Sequence, residues 1–237
     1  MTLPDPPAGA SDDTRDVRRD DPREVAAMLE LVRSEQDRMT RRLAAGVPVI
    51  LLAWGLAWLV GFLLLWMIDG ARPAFAIPVA VAAVAFAVLW AGALVVSAVV
   101  GARMGRGIRQ APGAAWTGIV FGLTWPVGFL AILALGGALV VNGMPPELGN
   151  IYYPTSATMF VGIMYVLAGG IWRNWQSIAM GAWILVVAAV APFFGHPTHY
   201  LVFALAGGGV FLLGALVAWL WLRESRRRPE LAEHADE

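Results

Sequence analysis

The sequence predicts an all-α fold: a polytopic bundle of six transmembrane helices preceded by a cytoplasmic amphipathic helix. Three observations predict it. Of 237 residues, 59% are apolar and 14% charged, against roughly 45–50% and about 25% in soluble domains. The charges are segregated: residues 1–46 carry ten acidic and eight basic side chains, whereas residues 47–222 carry only Asp69, Glu147 and five arginines. Between positions 47 and 222, six apolar stretches alternate with short segments that hold every charged residue of the region.

Residues 1–20 are rich in Asp, Arg, Pro and Gly and poor in large apolar side chains, so they are expected to be a disordered cytoplasmic tail. They do not read as a signal peptide, because the apolar sequence begins only at Val47. Residues 21–46 are expected to form a separate amphipathic helix, with Asp21 as N-cap, Pro22 in the first turn and Glu24 completing a capping box. Val25, Leu29, Val32, Gln36, Met39 and Leu43 alternate spacings of three and four, which places one polar and five apolar residues on one face. Such a helix could lie in the membrane interface, pair as a short coiled coil, or dock on a cytoplasmic partner. Glu24, Glu30, Glu35 and Asp37 weaken a purely lipid attraction; the plainer reading is that the helix caps the bundle.

Crossing about 30 Å of hydrocarbon at about 1.5 Å per residue takes about 20 apolar residues. Spans are expected at about 47–68, 74–100, 115–141, 154–171, 177–194 and 201–222. The fourth and fifth are separated by Trp172-Arg173-Asn174-Trp175-Gln176, whose arginine and amides are expensive in mid-bilayer. Arginines alternate between sides: 38, 41, 42, 103, 106, 109, 173, 223 and 226–228 fall on one, and only Arg72 on the other. The arginine-rich side is therefore expected to be cytoplasmic, with both termini inside a plasma-membrane protein. Tryptophans and tyrosines near the predicted span ends fit aromatic belts, and residues 223–237 read as a charged cytoplasmic tail.

Chemistry is limited by what is missing. All seventeen basic residues are arginine, which removes a P-loop lysine and any lysine Schiff base. Cysteine is absent as well, so disulfides, thiolate metal sites and cysteine nucleophiles are excluded. No span carries an ionisable residue near its middle, which disfavours carboxylate-titrating antiporters, bis-histidine haem proteins and intramembrane metalloproteases. No catalytic residue, cofactor, metal or nucleic-acid partner is expected.

Three further features stand out. Gly118, Gly122, Pro126 and Gly128 could kink the third span and free carbonyls toward a substrate path, but ordinary close packing of helices is favoured. The run Gly207-Gly208-Gly209 is read likewise, as a close helix contact in preference to a hinge. His196 and His199 lie three apart on the loop opposite the arginines; with Pro197 between them and only Glu147 as a carboxylate at hand, they are expected to be solvated loop residues. Arg103, Arg106 and Arg109, spaced by three, could meet a partner or lipid phosphates, although topological anchoring alone accounts for them.

A cytoplasmic helix at 22–45, six spans and an arginine-bearing loop at 101–110 resemble the transmembrane subunit of a type-2 ABC exporter. The resemblance implies a separate ATPase chain and two copies facing each other around a pathway. It departs from that family in the short connection His196–Tyr200, where re-entrant helices usually stand. The chain is also similar in general character to small six-span bacterial membrane proteins labelled transporters. The alternative, from another class, is a non-transporting membrane scaffold or sensor that docks a cytoplasmic regulator through helix 22–45; a lipid enzyme is the least supported.

Overall fold

The computed structural model describes the backbone of residues 22–72, 74–105 and 112–233, and the side chains of residues 25–34, 45–72, 74–105 and 113–224. Among the described residues there is no strand. Six helical stretches are long and apolar enough to cross a membrane: Ala45–Trp66, Val79–Met104, Gly113–Val141, Pro146–Ile171, Trp175–Phe194 and His199–Glu224. That is the makeup of a multi-pass integral membrane protein, as expected from the apolar run lengths.

The chain divides into two units, Met1–Arg41 and Arg42–Glu237. Helix α1 (Pro22–Trp66) is continuous, which corrects the separate helix expected to end near Ala45. The chain offers no stop there. Pro48 removes only its own N–H from the bond to the carbonyl four residues back, and the apolar sequence resumes at once. In the first unit, every described side chain from Val25 to Ser34 is exposed, including Val25, Met28, Leu29 and Val32. The expected tail 1–20 and the proposed N-cap Asp21 lie outside the described residues.

The second unit contains α2 (Val79–Met104), α3 (Pro112–Val141), α4 (Pro146–Ile171) and α5 (Trp175–Val190), the last continued by a 3₁₀ turn at Ala191–Phe194. The sixth span opens with α6 (His199–Val202), passes through a π-helical turn (Phe203–Gly208) and continues as α7 (Gly209–Glu233). Two boundaries moved. α2 starts at Val79, not near 74, because Pro78 stands extended at the N-cap (φ −61°, ψ 138°) and the chain just before it is irregular. α4 starts at Pro146, eight residues before the expected 154, because Pro146 suits the first helical position and Glu147 complements the positive end of the helix.

The core is aromatic. Trp58, Phe203 and Phe211 are at most 1% exposed. Trp58 packs on Trp90 and Phe211, and Phe62 on Phe86 and Phe203, joining the transmembrane part of α1 to α2 and the sixth span. Trp54 donates its indole N–H to Ser97 Oγ at 2.9 Å, a second tie from α1 to α2. A second group of rings (Phe121, Trp125, Phe129, Phe160) joins α3 to α4, and its Trp125 and Phe129 also pack against the core.

Glycine sets two close helix approaches. A methyl added at Gly181 on α5 would lie 2.7 Å from Gly162 O and 2.7 Å from Val166 N on α4. One added at Gly208 would lie 2.8 Å from Leu59 N on α1. The Gly207–Gly209 run is therefore mainly a contact, as expected, with Gly207 against the Trp58 ring. The π turn adds something the run did not announce: within it, the Ala206 carbonyl accepts the indole N–H of Trp183 on α5 at 3.0 Å.

Candidate functional site

The polar cluster of the second unit forms at the arginine-poor end of the spans, and a proline begins it. Pro154 lies inside α4. Lacking an N–H, it leaves the carbonyl of Asn150, four residues earlier, without a helical donor. His199 Nε2 lies 3.0 Å from that oxygen, and the Tyr200 hydroxyl donates to the same atom at 3.4 Å. The first turn of the sixth span thus supplies from its side chains what α4 lacks in its backbone.

The ring is fixed on its other edge as well. His199 Nδ1 lies 3.1 Å from the carbonyl of Gly195, which also accepts the His199 backbone N–H at 2.9 Å. Gly195 has φ +67°, a left-handed conformation that glycine adopts without strain, and this turns its carbonyl back onto the ring. The His199 and Tyr200 rings have centroids 4.0 Å apart, Phe203 meets His199 edge-on, and His199 has no exposed surface.

Beside this buried core lies a wetter margin. His196, its ring centroid 5.8 Å from that of His199, has Nε2 3.9 Å from Asp69 Oδ2. Asp69 also pairs with Arg72 at 3.4 Å. Both partners of that pair are substantially exposed, so it contributes little to stability. Among the described residues no group of three or more His, Asp or Glu side chains could hold a metal ion. Both nitrogens of His199 already face carbonyl oxygens. The chemistry available is proton exchange at imidazole.

The expectation of two solvated loop histidines is corrected for His199, which is buried because the Asn150 carbonyl needs a donor. Asp69, not Glu147, is the nearby carboxylate. Sequence reasoning also missed Asn150, Pro154 and Tyr200. The available clue was Pro154, since a proline within a span exposes the carbonyl four residues before it; starting the span at 154 hid that relation.

The other singled-out residues fall elsewhere. Gly118 and Gly122 face open space, with nothing within 4 Å of an added methyl among the described residues. The expected close packing through this pair is therefore not made within the described chain, because α3 meets α4 through its aromatic face. Pro126 sits exposed inside α3, while Gly128 does pack, against the Phe160 ring. Val25, Leu29, Val32 and Arg103 are exposed. The side chains of Gln36, Met39, Leu43, Arg106 and Arg109 lie outside the described residues.

No protein-family model, curated protein or solved structure matches this chain. Its class rests on its own six apolar helices.

Proposed function

We propose that this is a non-transporting membrane scaffold or sensor, anchored by a solid six-span bundle, that recruits a soluble cytoplasmic regulator through the N-terminal part of α1. The observation that carries this reading is the filled centre of the bundle. Trp58, Phe62, Phe203 and Phe211 occupy the space between α1 and the sixth span at 3% exposure or less. A hydrophilic substrate would have to cross a close-packed apolar core that offers it no ion pair at depth. Val25, Met28, Leu29 and Val32 meanwhile present an apolar helical face outside the six spans. On a helix in water such a face is stabilised by a cover, and a partner helix or groove supplies one.

Two copies of a permease subunit with a separate ATPase form the second reading. Its support is α3, whose Gly118, Gly122 and Pro126 are exposed, since two copies meeting there would place a pathway between chains. Photo-crosslinking in living cells separates the two. A photoreactive residue at position 29 is expected to capture one soluble non-ATPase protein, and Leu29→Asp to abolish that adduct. Capture of an ATP-hydrolysing chain, with loss of efflux in a deletion strain, replaces the scaffold by the permease. Adducts to lipid alone reject both docking schemes.

A further inference from the structure

We propose that the α4–α5 turn holds the headgroup of an anionic phospholipid on Arg173, with Trp172 and Trp175 as its anchors in the membrane interface. This goes beyond the scaffold reading and stands whether or not α1 binds a partner. Arg173 is exposed, and among the described residues no hydrogen bond or ion pair engages its side chain. The sequence holds no Asp or Glu from 148 to 223, so neither α5 nor the part of α4 that leads into the turn carries a counter-charge. Arg72, at the arginine-poor end, is the contrast, since it pairs with Asp69 at 3.4 Å.

The turn stands where hydrocarbon gives way to headgroups. It joins two helices long and apolar enough to cross a membrane, Pro146–Ile171 and Trp175–Phe194. Trp172 rests edge-on against Phe121 of α3, with ring centroids 4.8 Å apart, and still exposes about half its surface; Trp175 is 75% exposed. Indole rings, apolar with one N–H donor, settle at the membrane–water boundary. The two tryptophans therefore keep the intervening position 173 at headgroup depth. Asn174 takes no part, because its side chain already accepts the Ser177 N–H at 3.2 Å.

The backbone gives no reason for an arginine here. At φ +53° Arg173 occupies the left-handed region, where glycine is unstrained and any other residue is not. What arginine brings is its side chain, a planar donor fork that matches phosphate. A zwitterionic headgroup presents the same phosphate beside a cation of its own, so the preference is for lipids of net negative charge. One basic residue at an anionic bilayer surface is worth about five-fold in local occupancy.

The test uses the full chain in nanodiscs that mix phosphatidylglycerol with phosphatidylcholine. One lipid at a time carries a photoactivatable diazirine on its acyl chain close to the headgroup, and adducts on the segment 172–176 are quantified by mass spectrometry. The phosphatidylglycerol probe is expected to label the turn about five times as strongly as the phosphatidylcholine probe. Arg173→Gln should bring the two yields together, whereas Arg72→Gln should leave their ratio unchanged. Equal yields in the unsubstituted chain, no adduct on the turn from either lipid, a ratio surviving in R173Q, or one lost in R72Q overturns the proposal. Should R173Q fail to fold, salt decides on the unsubstituted chain. Raising it from about 0.05 M to about 0.5 M screens the charge and should shrink the ratio toward one, and a ratio indifferent to salt overturns the proposal.

Discussion

Replacing Gly181 by alanine isolates the close approach of α5 to the backbone of α4. The added methyl would stand 2.7 Å from two backbone atoms of α4, Gly162 O and Val166 N, and 2.9 Å from Tyr165 Cβ. Ordinary contact begins near 3.4 Å, so the helices must separate by about 0.7 Å. Backbone cannot rotate out of the way as a side-chain tip can. Overpacking costs about 1–3 kcal/mol, and the rigidity of these neighbours puts Gly181→Ala toward the upper end. Against this, alanine is better than glycine in a helix interior by about 1 kcal/mol. The net expectation is a loss of about 1–2 kcal/mol. Gly118→Ala on α3 is the matched control: it has nothing within 4 Å, so it keeps the propensity gain and should be neutral or stabilising by up to about 1 kcal/mol. Reversible unfolding in mixed micelles, or steric trapping in bicelles, resolves a difference of this size. Equal effects at the two sites, or a larger loss at Gly118, would refute the assignment of the tight crossing to α4 and α5.

Other perturbations probe different parts of the bundle. Trp58→Ala removes the largest buried side chain of the core and should cost about 3–5 kcal/mol in the same unfolding assay, while a loss below about 1 kcal/mol would mean that the aromatic centre is loosely packed. Arg173, in the α4–α5 turn, has φ +53°, a left-handed conformation that costs a non-glycine residue about 1–2 kcal/mol. Arg173→Gly should therefore raise the unfolding midpoint, and a lowered one would show that the guanidinium holds the turn. Ser97→Ala strands the Trp54 indole N–H and should cost about 1 kcal/mol, with a red-to-blue change in tryptophan emission if the indole loses its partner.

What could be read from the residues divides along a physical line. Hydrocarbon thickness acts on segments of about 20 residues, so span number and approximate position follow from apolar run lengths alone. The break at Trp172–Gln176 was equally legible, and Asn174 caps α5 there by accepting from the Ser177 N–H at 3.2 Å. Helix ends were less so: Pro146 and Pro154 look alike as breakers, yet one starts α4 and the other sits inside it. The cluster around His199 was hidden because it depends on an acceptor created 49 residues away by a proline. The Gly118-x-x-x-Gly122 pattern announces a helix contact, but pattern alone does not say which face of α3 turns toward α4. No sequence period marks the π turn at Phe203–Gly208, since the glycines that permit it are equally compatible with an unbroken helix.

Membrane sidedness underlies every statement about a cytoplasmic partner, and impermeant maleimide labelling of single cysteines in intact cells measures it on a chain with no thiol of its own. Ala74→Cys and Asn142→Cys, exposed at the arginine-poor end, are expected to react without permeabilisation, whereas Ala102→Cys and Gln176→Cys, exposed at the other end, react only after it. Labelling of position 102 or 176 in sealed cells, with protection of 74 and 142, would turn the protein over and remove the basis for a cytoplasmic partner on α1.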